Sequence, residues 1–257
     1  MKTPRHKINL ITLTLLIITF GIAPSFAETI KFNIGRNAYP PYIIVENEKV
    51  TEGIVIDILS QIAKKHGHTV SFFQTSRKII DVSLKKNETD ATAKIHGWQP
   101  KDSDYIFTNT ILTMKNVFFF LKEKTLKFER VEDLYGKKFK THIGFTYPEL
   151  EPLMKKGLIR RYDEYTEFEI LDKLLQTNGK FDGSILDETV GLWMIKNNKW
   201  DEKFDRAQKN LGEYEYKIMF HNTWKEFVPK FNQELLKMKD NGEIDKIINK
   251  YVKSKSK

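Results

Sequence analysis

The sequence predicts an α/β protein built as two lobes, with two crossing strands as the hinge between them. Three observations carry this. Short apolar strands alternate with amphipathic helices along most of the chain, first in one series and then in a second. A dense apolar run, Val117-Phe118-Phe119-Phe120-Leu121, stands between the two series and reads as a strand buried on both faces. After the second series a further strand leads into long amphipathic helices, which return the chain to the first lobe.

In the first series, residues 29–34 read as a strand. Residues 54–66 read as a helix: Ile54, Ile58 and Ile62 recur at i+4, Leu59 and Ala63 flank them, and Gly67 stops it. Residues 69–73 alternate like a strand, 79–86 form a short helix, and 90–95 the next strand. Such β-α-β-α-β crossovers imply parallel pairing. In the second series Val131-Glu132-Asp133-Leu134 is a turn of helix and 138–142 a strand. Residues 148–156 and 166–176 read as helices, 181–186 as a strand, 188–197 as a helix and 214–220 as a strand. Phe227, Phe231, Leu235 and Met238 mark a long amphipathic helix over 224–239. Asn241-Gly242 separates it from a last helix over 244–252. No low-complexity linker divides the two series, so the boundary is expected at paired strands near 117–121 and 214–220. Residues 28–117 and 220–257 then form a discontinuous first lobe, and 118–219 the second.

The first 27 residues stand outside this pattern. Lys2, Arg5 and Lys7 precede a mostly apolar stretch, and Ser25-Phe26-Ala27 offers small residues at the positions a signal peptidase reads. The apolar stretch is about 15 residues, short of the roughly 20 that a spanning helix needs. Residues 1–27 are therefore expected to be a cleaved signal peptide, which leads to a periplasmic address. The chain has no cysteine, which excludes disulfides, thiolate metal sites and cysteine nucleophiles. The leader holds three of the 43 basic residues and none of the 34 acids, so the charge of +9 falls to +6 without it. The basic residues are scattered as pairs such as Lys64-Lys65, Lys137-Lys138 and Arg160-Arg161. That is the pattern of a solvated surface, and no nucleic-acid partner is expected.

Seven motifs in order resemble the family-3 extracellular solute-binding proteins, the amino-acid-binding type with the type II periplasmic binding protein fold. They are Tyr39-Pro40-Pro41-Tyr42, Thr51 to Ile58, Lys86 to Ala91, Ile106-Phe107-Thr108-Asn109, Val131 to Phe139, Phe181 to Asp187, and Met238 to Tyr251 with Asn241-Gly242 and Ile244-Asp245-Lys246-Ile247. The resemblance runs from about Phe32 to Val252. It implies a ligand cleft between the lobes, beyond the carboxyl ends of the strands.

Candidate site residues follow the strands. Tyr39 either stacks on a ligand or packs as a core aromatic held by Pro40-Pro41. Arg77 has the planar fork that suits a carboxylate, or pairs with Asp81 four residues on. The Ile95-His96-Gly97-Trp98 loop corresponds to one that presents backbone N–H groups to a ligand carboxylate in the family. Trp98 either walls the pocket or packs the loop, and His96 reads as a loop residue or, less readily, a metal ligand. Lys101 stands where the family carries an arginine; it can neutralise a carboxylate but lacks the bidentate fork. Thr146 with Glu149 has the spacing of a capping box, and the resemblance gives Gly144-Phe145-Thr146 a part in holding a ligand carboxylate. Asp187 is an ordinary N-cap by position, and by resemblance the receptor of a ligand's amino group.

The function implied is capture of a small polar ligand, an amino acid or related zwitterion or carboxylate, for an ABC-type membrane permease complex. A monomer is expected, with no cofactor, metal or catalytic residue. Two alternatives stay open. One is a ligand-sensing partner of a membrane receptor. The other is an enzyme like the periplasmic cyclic-acid dehydratases, for which Glu52 and Glu188 are the nearest acids.

Overall fold

A computed structural model describes residues 28–34, 39–95, 104–177 and 179–253. The first lobe opens with β1 (Thr29–Asn33), a hairpin of β2 (Ile44–Glu46) and β3 (Lys49–Glu52), α1 (Ile54–Lys65), β4 (Thr69–Phe73), α2 (Arg77–Lys85), β5 (Ala91–Ile95) and β6 (Tyr105–Phe107). A ten-residue strand, β7 (Leu112–Leu121), leads to a 3-10 turn at Val131–Leu134, β8 (Lys138–His142), α3 (Glu151–Lys155), β9 (Arg160–Glu164) and α4 (Glu167–Gln176). Then come β10 (Gly183–Asp187), α5 (Glu188–Asn197), β11 (Phe204–Arg206) and a second ten-residue strand, β12 (Gly212–His221). A 3-10 turn at Asn222–Trp224 precedes α6 (Phe227–Asp240) and α7 (Glu243–Val252).

The main sheet runs β4-β1-β5-β12-β7-β10-β8-β9. β1 lies parallel to β4 and β5, and β8 parallel to β9 and β10, as the crossovers require. The two long strands join these halves. β7 pairs antiparallel with β12 over 112–116 against 212–216, then with β10 and finally β11. β12 continues along β5 and β6. The pairing with β12 therefore lies ahead of the phenylalanine run at 117–121, which pairs with β10 and β11 instead. Apolar density marked a buried strand there, but the crossing segment is more polar because its neighbours are tyrosines and a carboxylate.

Among the described residues the core falls into three clusters. Ile54, Ile58, Leu59 and Ile62 of α1 pack with Ile30 and Phe32 of β1 and with Phe220, Phe227 and Phe231. Across the link, Phe118 and Phe139 centre one cluster and Phe119, Leu171 and Leu186 another. Burying each such side chain contributes roughly 1.5–3 kcal/mol. The closing helices α6 and α7 pack on α1.

Two sequence expectations need correction. The helix predicted over 148–156 shrinks to α3, because Pro152 can sit only in a helix's first turn, and there it stands. The long helix predicted from 224 begins at Phe227, after its own 3-10 turn.

Candidate functional site

The turn after β1 is built to hold two tyrosines. Tyr39 and Ile43 exchange backbone hydrogen bonds at 3.1 Å, and Tyr42 N donates to Tyr39 O at 2.9 Å. The start of α1 grips this turn: Ile54 N donates to Pro41 O at 2.9 Å and Val55 N to Tyr42 O at 3.1 Å. These are orphan donors of a helix N-terminus, and the turn's carbonyls satisfy them. Gly53 completes the joint, its N–H donating to the Tyr251 hydroxyl at 3.0 Å.

From this turn the rings reach the link between the lobes. Tyr42 stacks on Tyr39 with centroids 5.6 Å apart and meets Tyr216 of β12 edge-on at 5.4 Å. The Tyr42 hydroxyl donates to Asp187 Oδ1 at 2.7 Å. Asp187 ends β10 and caps α5, its Oδ1 also accepting from Val190 N at 3.0 Å. Its Oδ2 accepts from Lys115 N on β7 at 3.2 Å. One carboxylate thus touches the first lobe, the second lobe and a linking strand.

Burial raises the Asp187 carboxyl to about 6, against the pull of the Tyr42 hydroxyl and the Val190, Lys115 and Thr189 N–H groups. Burial and the Asp187 charge together hold the Tyr39, Tyr42 and Tyr216 hydroxyls above the ordinary tyrosine range. The Tyr39 hydroxyl also feels Glu167, the first residue of α4. Glu167 lies 3.8 Å from His142 Nε2, and the His142 ring stacks on Phe145 at 4.2 Å.

Sequence reasoning missed the residue that fixes this second-lobe wall. Arg161, read as part of a solvated basic pair, donates to His142 O and Phe145 O, both at 3.2 Å, and to Asp163 Oδ1 at 2.7 Å. It locks the 142–145 loop. Tyr147, buried behind that loop, lies under the guanidinium with 5.6 Å to its ring centre. Tyr42 and Tyr216 were missed as well.

The predicted site residues divide as follows. Tyr39 and Asp187 come together around Tyr42. Thr146 is exposed, and no helix begins at it: α3 has Leu150 as its N-cap, and Glu149 instead accepts from the Tyr214 hydroxyl at 3.3 Å. The capping box of this region is Thr166 with Glu169, at the start of α4. Arg77 opens α2, beside the end of β1, where Thr75 Oγ1 donates to Asn33 Oδ1 at 3.1 Å. Asp81, its alternative partner, pairs with Lys94, and the Arg77 side chain lies outside what is described. Gly97, Trp98 and Lys101, with His96, lie outside the described residues. Among the described residues no group of three or more His, Asp or Glu could hold a metal.

Residues 33–254 match the model of the bacterial extracellular solute-binding proteins, family 3. The chain belongs to that family. This family-3 solute-binding protein is 23% identical over 225 residues to a probable histidine-binding protein of Campylobacter jejuni, covering 87% of this chain and 84% of that one. It is 25% identical over 249 residues to an arginine-binding periplasmic protein of Mannheimia haemolytica, covering 94% and 99%. Its fold superposes on the L-cystine solute receptor of Neisseria gonorrhoeae, in the unliganded open conformation, with a TM-score of 0.68 at 16% identity. That match covers 88% of this chain and 93% of the receptor and shows the two-lobed type II fold. The first two of these relatives are named as binding proteins, the second as periplasmic. Among the described residues no helix is long and apolar enough to cross a membrane.

Proposed function

We propose that this solute-binding protein captures an amino acid, or a related small zwitterion, between its lobes and delivers it to an ABC-type permease complex. The observation that carries this is the buried carboxylate of Asp187, placed where the linking strands meet and ringed by tyrosines of the opposite lobe. A carboxylate in that setting receives a ligand's ammonium, and aromatic rings wall its stem. Relatives named for arginine and histidine support a ligand with a cationic group. Arg77, Lys101 and the Gly97 backbone are the proposed partners of its carboxylate, with Trp98 and Tyr39 as walls. Thr146 enters through its hydroxyl rather than a helix end.

Against the enzyme reading, its two nearest acids are engaged in ion pairs. Glu188 pairs with Arg206 at 2.9 Å, and Glu52 pairs with Lys250 at 2.9 Å. We assign the protein no catalysis, and propose that it works as a monomer.

A thermal-shift panel of L-arginine, L-histidine, L-glutamate and small carboxylates tests the function. A ligand at a hundred times its dissociation constant adds about 2.7 kcal/mol to stability. An amino acid is expected to raise the melting temperature and to compact the molecule in small-angle scattering as the lobes close. A panel without a stabilising amino acid, or identical scattering with one bound, counts against the proposal.

The exported protein is expected to begin at Glu28, after signal-peptide cleavage behind Ala27. Intact-mass measurement on periplasmic protein checks this. A membrane-bound product that keeps residues 1–27 overturns it.

A further inference from the structure

Asp187 has little room for a guest. A carboxylate offers about four lone-pair sites. In this structure Tyr42 and Val190 donate to Oδ1, Lys115 N donates to Oδ2, and the Thr189 N–H faces the group as well. Asp187 is 5% exposed and Tyr42 1%. Three of these donors are backbone N–H groups, fixed by β7 and the start of α5. The fourth is a side-chain hydroxyl from the opposite lobe, and a hydroxyl can turn away.

We infer that Tyr42 is the exchange residue of the site: its hydroxyl holds Asp187 across the interlobe cleft, and the ligand's ammonium displaces it. This rests on the proposal that Asp187 receives the ammonium. Tyr42 thereby acts as a specificity-determining residue. A ligand earns entry only if its donor bonds the carboxylate better than a phenol does. An ammonium meets that standard through charge, because charge-assisted hydrogen bonds are about twice as strong as neutral ones. A neutral hydroxyl compound does not. The same bond spans a sequence separation of 145 residues and is a tie between the lobes. Breaking it releases them to re-close on the guest.

The aromatic ring of Tyr42 has separate work, stacked on Tyr39 and edge-on to Tyr216. Tyr42→Phe keeps that packing and removes only the hydroxyl. With L-arginine and L-histidine as probes, Y42F is expected to bind about tenfold more tightly at pH 8, since the guest no longer displaces a hydrogen bond to a charged acceptor. In a D187N background the gain should vanish.

The pH profile distinguishes this exchange from simple repacking. The groups facing Asp187 are Tyr39 and Tyr42 from the turn after β1, Tyr216 from β12, and the N–H groups of Lys115, Thr189 and Val190. The Tyr42 hydroxyl favours the ionised carboxylate, so removing it raises the pH at which cation binding is lost on acidification.

Scattering without any added ligand gives a second, independent readout. Y42F should show a larger radius of gyration than the wild type, because a buried interlobe tie is gone, beside the less buried one that Lys196 makes to the carbonyls of Lys250 and Tyr251. Unchanged or weaker binding by Y42F, or an unchanged radius, overturns the inference. Wild-type binding by D187N would instead overturn Asp187 as the ammonium receptor. If neither probe binds the wild type, a ligand with a cationic side chain is overturned, and the ligand-free radius of Y42F still judges the tie.

Discussion

Asp187→Ala is expected to weaken binding of an ammonium-bearing ligand by about tenfold to a hundredfold, and to change how stability depends on pH. The affinity loss follows from removing a charge-assisted hydrogen bond, about 1.5–3 kcal/mol. The stability effect follows from burial. The folded-state value of Asp187 is raised from 3.8 to about 6. The folded protein therefore holds this proton more tightly than the unfolded chain does. Stability from that proton is fully present below about pH 4 and is lost as pH rises through 6. Two units correspond to about 3 kcal/mol. Urea unfolding from pH 4 to pH 7 should show the wild type losing about that much relative to D187A. A constant offset also enters, because alanine leaves the Tyr42 hydroxyl and the Val190 and Lys115 N–H groups without their acceptor, each costing about 1–3 kcal/mol. The offset does not alter the slope. Parallel pH profiles for the two proteins would mean that Asp187 stays solvated, and would remove the basis of its role.

Stability this sensitive to one carboxylate was not legible from the sequence. Asp187 could be placed at a strand end and a helix start, because Phe181 to Leu186 is apolar and Glu188 opens a helical period. Its burial could not, because the residues that cover it come from Tyr39, Tyr42 and Tyr216 at large sequence separation. Tyr42 read only as the aromatic fourth residue of a motif. What gives it a role is the hydroxyl bond to Asp187, and no local pattern encodes that.

Elsewhere legibility follows how local the cause is. α1 was readable nearly to the residue, since isoleucine spacing and Gly67 are local signals. The β2–β3 hairpin was missed. Its two-residue loop is Asn47-Glu48, both with positive φ (50° and 61°), where a glycine usually advertises the turn. Arg161 was misread because charge in a sequence suggests solvent. Here the guanidinium turns inward to backbone carbonyls that only the folded 142–145 loop brings near.

Gly53→Ala is expected to be the most damaging single substitution near the site. Gly53 has φ 146° and ψ 158°, a region open essentially to glycine alone. A Cβ there would lie 2.4 Å from Tyr42 O, 2.8 Å from Tyr42 C and 2.9 Å from Ile43 Cα. All three are backbone atoms, so no side chain can rotate aside and the turn itself must shift. Backbone strain of about 1–3 kcal/mol and steric overlap of similar size together put the loss at about 3 kcal/mol or more. For a domain of this size that is a fall of roughly 6–12 °C in melting temperature. The turn carries Tyr39 and Tyr42, so ligand affinity should fall together with stability. Gly144→Ala provides the control. Its φ is also positive, at 77°, but nothing lies within 4 Å of its Cβ position. It should cost only the strain of a left-handed residue, about 1–2 kcal/mol. Thermal melts and L-arginine titrations of both variants decide the matter. If G53A melts no lower than G144A and binds like the wild type, contact with Gly53 does not set the position of the tyrosine turn.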